Sequence, residues 1–172
     1  GLEVGSKPEL ITAIAMGKAD RLLICTGYKD PEYIRLALIA KRLGMRVIIV
    51  IEMPGELDLI EREAKRLQVE PELGVRLRLS VTPSGNWQDS GGERAKFGLS
   101  ASQILHLLET IKAKGHLQWL CMLHFHMGSQ ISTLRDIQGG MREACRFLLE
   151  LHRLGVTIEF IDIGGGLGVD YE

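Results

Sequence analysis

A chain of 172 residues, 45% hydrophobic and 25% charged with a net charge of −1, has the make-up of one globular domain with a sizeable core, not of a disordered chain. Its longest apolar runs, such as Val47-Ile48-Ile49-Val50-Ile51, fall far below the roughly 18–20 residues of a transmembrane helix, and no basic-then-apolar leader opens it, so a cytoplasmic location is expected. Aromatic residues make up 5% and no basic stripe is visible, which argues against a nucleic-acid partner.

In chain order, the first strand-like run is Leu2-Glu3-Val4, followed by a capping-box signal from Ser6 to Glu9 that starts a helix. Leu22-Leu23-Ile24-Cys25 reads as the second strand, and Asp30-Pro31 as N-cap and first residue of the next helix, which Gly44 stops. Val47 to Ile51 is the third strand and Val75 to Leu79 the fourth. After it comes a polar, glycine- and serine-rich connection from Val81 to Gly98; loops this long in compact domains are usually functional or disordered. Ser100 to Gln103 is a second capping box, Gly115 a second stop, and Leu120 to Phe125 and Ile158 to Ile163 close the series. Strands alternating with helices predict an α/β protein with a parallel sheet and helical crossovers, either a barrel or a doubly wound sheet, with no domain boundary inside 1–172.

Several constellations carry chemistry. His124 and His126 are two apart at a strand end, so they share a face at the end where ligands bind in parallel α/β proteins. They could hold a metal, serve the structure, or contact a non-metal ligand; His106, His116 and His152 fall within or at the end of helices and supply no further ligands. "DIGGGLG" at 162–168 offers backbone N–H groups with no Cβ in the way, as a phosphate needs, but also suits a tight turn. It is not the dinucleotide fingerprint, because counting from Gly164 puts Val169 where the third glycine belongs. Arg76 and Arg78 share one face of the fourth strand, and on a strand covered on both sides one of them would need an anionic partner. Glu9 is explained as the acid of the first capping box. Lys29 and Lys96 follow strands and read as solvated loop cations in preference to imine-forming lysines. Cys25, Cys121 and Cys145 are odd in number and widely spaced, which argues against a disulfide framework or structural zinc.

The segments "LEVGSKPEL", "ICTGYKD", "GNWQDSGGERAKFGLS", "LHFHMGSQISTLRDIQGGMREA" and "IDIGGGLGVDYE", in this order, resemble the biosynthetic arginine decarboxylases of bacteria and plants. These are pyridoxal-phosphate enzymes of the alanine racemase-like, fold-type III class. The resemblance implies an incomplete (β/α)8 TIM-type barrel, about strands two to seven with their helices. It places the imine-forming lysine ahead of the chain, and the eighth strand and a C-terminal β domain after it. It implies pyridoxal 5'-phosphate as cofactor, Mg2+ as a possible second one, arginine as substrate, a homo-oligomeric parent, and a fragment inactive alone. It makes His126 the imidazole stacked on the pyridine ring and Ser129 a hydrogen-bonding neighbour. Gly164, Gly165 and Gly166 become the phosphate donors, Glu3 the acid near the imine, Glu9 a second acid, and Arg78, or Arg76 of the same parity, an active-site arginine. Thr26 and Asn86 stand where the resembling enzymes generally have asparagine and lysine. The alternative is a metal-dependent barrel hydrolase using His124 and His126.

Overall fold

The computed structural model describes residues 1–17, 21–80, 96–131 and 133–169. They form two compact units, Gly1–Gly74 and Val75–Glu172. The first holds β1 (Leu2–Val4), α1 (Lys7–Ala15), β2 (Leu22–Cys25), α2 (Pro31–Arg42), β3 (Arg46–Ile51), α3 (Glu56–Leu67) and the start of β4 (Glu72–Arg76). The second holds the end of β4, α4 (Ala101–Ala113), a short 3-10 turn at Leu117–Trp119, β5 (Leu120–His124), α5 (Leu134–Arg153) and β6 (Phe160–Asp162). Strand order follows chain order in each, β1-β2-β3-β4 and β4-β5-β6.

In the first unit β2 lies between β1 and β3, parallel to both, with Glu3 opposite Ile24 and Ile24 opposite Ile48. Five consecutive residues of β3, Val47–Ile51, are buried, as expected of a strand covered on both faces in a parallel sheet. Ile34, Ala37 and Leu38 of α2 and Ile60 of α3 complete that core. In the second unit β5 is buried along its length and pairs in parallel with β6. Leu77 N–H donates to His124 O at 2.7 Å, and Ile104, Leu108 and Ile111 of α4 are buried.

The punctuation of the helices follows the expected pattern with one exception. Asp30 caps α2 through the Tyr33 N–H, and Ser100 and Gln103 form a reciprocal capping box. Gly44 and Gly115 take positive φ, +95° and +74°, where a Cβ would be strained. Ser6 makes no side-chain cap on α1; Glu9 Oε2 instead accepts the Gly5 N–H at 2.7 Å. The acid thus reaches one residue beyond the N-cap Ser6 and satisfies a donor of the preceding turn. β4 also begins three residues earlier than the apolar run suggests, because Glu72 is held by Lys41 at 2.6 Å and Arg46 at 2.8 Å, side chains of neighbouring elements. Of the long polar connection, residues 81–95 and with them Asn86 lie outside the described residues. Among the described residues no helix is long and apolar enough to cross a membrane.

Candidate cofactor site

The second unit brings the end of β5 and the glycine run together. His124 and Asp162, the last residues of β5 and β6, face each other in the register, and His124 Nδ1 stands 2.9 Å from Asp162 Oδ2. His124 is 1% exposed, so this contact is little screened by water. Burial pushes the Asp162 carboxyl up, but the close His124 imidazole and the Gly164 N–H outweigh it, and the group is held below the usual carboxylate range. Its other oxygen, Oδ1, accepts the Gly164 N–H at 2.9 Å, the two-residue turn that aspartate forms with its own backbone.

The glycines that follow lie directly on the segment after β5. A Cβ on Gly164, whose φ is +68°, would stand 2.7 Å from His126 Nδ1 and 2.8 Å from Phe125 O. Gly166, at φ +92°, is pressed onto Gly128 O, with Ser129 Cα at 3.2 Å from where its Cβ would be. Backbone bonds hold the two segments in register: Phe125 N–H to Asp162 O at 3.0 Å, Ile131 N–H to Gly166 O at 2.7 Å, and Gly168 N–H to Ile131 O at 3.0 Å. Gln130 adds an accepted bond from Val169 N–H at 2.8 Å.

Gly165 is different. It is exposed, its φ is not left-handed, and nothing lies within 4 Å of where a Cβ would stand. Neither backbone strain nor packing among the described residues demands glycine there, whereas close approach of an anionic ligand to its N–H would. The donor set thus suits a phosphate: N–H groups on a turn, with the half-buried His126 imidazole and the exposed Ser129 in the adjoining segment.

The two arginines meet the end of the long connection. Arg78 Nη2 donates to Gly98 O at 2.7 Å, and the Arg76 guanidinium lies 5.8 Å from the Phe97 ring centroid. The solvated reading holds for Lys96, which is exposed over the Phe97 ring.

In the first unit Glu3 Oε1 accepts the Thr26 hydroxyl at 3.2 Å, so threonine at this position still supplies a donor to the acid. The Thr26 turn is fixed by Gly27, at φ +74° and packed against the Gly5 backbone, and by Tyr33 OH, which donates to Val4 O at 2.8 Å. Lys29 corrects the sequence reading. It is 2% exposed, not solvated, with Nζ 2.7 Å from Gly27 O, 3.3 Å from Glu52 Oε2 and 3.5 Å from Glu56 Oε1. Its two acid partners lie more than twenty residues away, so no local pattern shows them. Asp162 was equally missed as a site residue, although an aspartate two residues ahead of a glycine is a legible turn signal. Cys25, Cys121 and Cys145 are free thiols, the first two buried; burial pushes the Cys25 thiol up to about 12.

Comparison with known proteins agrees with this geometry. A biosynthetic arginine decarboxylase of Marinobacter nauticus is 58% identical over 173 residues, covering 100% of this chain and 27% of the relative. One of Xanthomonas axonopodis is 56% identical over 172 residues with the same coverage. The chain therefore spans about a quarter of the length of these relatives. Among solved structures, a biosynthetic arginine decarboxylase from Campylobacter jejuni superposes with a TM-score of 0.87 at 32% identity, covering 100% of this chain and 27% of that one. A diaminopimelate decarboxylase from Helicobacter pylori does so with a TM-score of 0.85 at 26% identity, covering 43% of that chain. The likeness bears out the expected incomplete (β/α)8 barrel. The family description "Pyridoxal-dependent decarboxylase, pyridoxal binding domain" matches residues 1–172, and it names pyridoxal alone, which leaves the expected Mg2+ without support. Matched along its whole length, the chain belongs to the pyridoxal-dependent decarboxylases and carries their pyridoxal-binding domain.

Proposed function

We propose that the intact protein decarboxylates L-arginine to agmatine and CO2, a step that feeds polyamine biosynthesis, with pyridoxal 5'-phosphate held on the second unit. The observation that carries the reading is Gly165, a glycine with no internal need to be one, at the tip of a turn laid on His126 and Gly128. The residues that would hold the cofactor are the loop glycines through their N–H groups, Ser129 through its hydroxyl, and His126 by stacking on the ring. Bound there, pyridoxal phosphate would supply the electron sink for the pair left when CO2 departs. Glu3, steadied by the Thr26 hydroxyl, is the acid of this reading at the reacting nitrogen. Arg78 is its active-site cation, anchored on Gly98 O. Arginine as substrate is supported by the relatives at more than half identity, which are named biosynthetic arginine decarboxylases. A cytoplasmic setting and a homo-oligomeric parent belong to the same reading, as does inactivity of the 172-residue chain alone. The hydrolase alternative built on His124 and His126 gives way because the family is one of decarboxylases.

The test is to supply the intact protein with pyridoxal phosphate and each basic amino acid, and to follow CO2 release and the amine formed. Agmatine from arginine is expected; no CO2 from arginine overturns the assignment. Gly165→Ala is the sharper probe. It should leave the melting temperature of the cofactor-free protein unchanged while weakening pyridoxal phosphate binding, and unchanged binding would remove Gly165 from the site.

A further inference from the structure

A carboxylate two residues ahead of a phosphate-binding turn is electrostatically awkward, since two anions drawn together repel each other. Asp162 stands in that position: its Oδ1 accepts the Gly164 N–H at 2.9 Å, and its Oδ2 lies 2.9 Å from His124 Nδ1. The bond from Gly164 has a consequence for the ligand. The Gly164 N–H is taken up inside the protein, whereas those of Gly165 and Gly166 make no hydrogen bond among the described residues. Gly164 is a glycine for a different reason from Gly165, because its left-handed φ and its contact with His126 leave no room for a Cβ.

We propose that Asp162, anchored by His124, is a positioning residue of the cofactor site: it withdraws the Gly164 N–H from ligand binding, pins the glycine turn onto His126, and leaves Gly165 and Gly166 as the loop's phosphate donors. The proposal rests on the pyridoxal-phosphate reading above and deepens it. The chain of contacts runs from the buried end of β5, through the carboxylate, into the turn that lies against the ring-stacking imidazole. One side chain therefore sets the spacing between the phosphate end and the ring end of the site. His124 acts through Asp162, packing against the carboxylate and holding it in its rotamer.

The experiment uses the intact protein and compares binding of pyridoxal phosphate with that of pyridoxal, which lacks the phosphate, together with the 31P resonance of the bound cofactor. In Asp162→Ala the affinity for pyridoxal phosphate should fall about 10- to 100-fold, the range a hydrogen bond to a charged group commands. Pyridoxal affinity should hold and the 31P resonance should move. Asp162→Asn, which keeps an acceptor for Gly164 but not the charge, should recover part of the loss. His124→Ala, which leaves the carboxylate unanchored, carries the same expectation should Asp162→Ala fail to fold. Unchanged or tighter pyridoxal phosphate binding in Asp162→Ala would mean that a freed Gly164 N–H serves the phosphate, and overturns the proposal. Equal losses for both ligands with an unmoved 31P resonance would reduce Asp162 to scaffold. A wild-type protein that binds the two ligands equally well would instead overturn the phosphate reading itself, and this proposal with it.

Discussion

Replacing Lys29 by methionine keeps most of the side-chain volume and removes the buried positive charge that stands 3.3 Å from Glu52 Oε2 and 3.5 Å from Glu56 Oε1. The side chains of Lys29 and Glu52 are 0% exposed and that of Glu56 is 6% exposed, so water cannot take over the lost role. Breaking a buried pair by deleting one partner costs about 3–5 kcal/mol, which for a domain of this size lowers the melting temperature by roughly 6–20 °C. The loss should depend on pH. Burial raises the Glu56 carboxyl above its ordinary value, and the Lys29 charge and two backbone N–H bonds offset this only in part. A carboxyl whose folded pKa lies above its unfolded one favours the folded state at low pH, and that contribution is lost as pH rises from the unfolded pKa through the folded one. Without Lys29 the folded value climbs further and the window widens upward. Calorimetric melting of the wild type and Lys29→Met between pH 5 and pH 8 should therefore show a gap that is largest at pH 8 and narrows toward pH 5. Adding Glu52→Gln and Glu56→Gln to the variant should recover much of the loss. A gap worth less than about 1 kcal/mol at pH 8, the scale of an exposed pair, would refute the reasoning, as would a pH-independent one, which would point to packing alone.

Two further outcomes follow from local geometry. Asp30→Ala removes the accepted Tyr33 N–H that caps α2 and should cost about 0.5–2 kcal/mol, the range for N-cap loss, measured by urea unfolding; no change would mean the Lys7–Asp30 pair and cap are idle. Gly166→Ala, unlike Gly165→Ala, should lower the melting temperature of the cofactor-free protein, because at φ +92° its Cβ is both strained and driven into Gly128 O; a melting temperature equal to that of Gly165→Ala would contradict the packing described.

The order of strands and helices was legible from the sequence because it rests on local terms. Runs such as Val47–Ile51 can only be buried strand in this context, and Asp30-Pro31 and Ser100 to Gln103 carry their own capping chemistry within four residues. The candidate site was legible in part: the histidines and glycines lie in two short segments that the structure lays against each other. Which glycine does what was not legible, since three adjacent identical residues differ only in what stands opposite them. Gly164 meets His126, Gly166 meets Gly128, and Gly165 meets nothing.

The sequence by itself thus determined the element order, the family and the candidate segments, through periodicity, caps and motif composition, all of which act over a few residues. Only the tertiary structure decided that Lys29 is buried between Glu52 and Glu56, that Glu9 serves Gly5 and not Ser6, and that Asp162 joins His124 to Gly164. Burial and pairing of charge depend on which residues distant in the chain are brought to the same strand ends, and that is set by strand register, which composition alone does not carry.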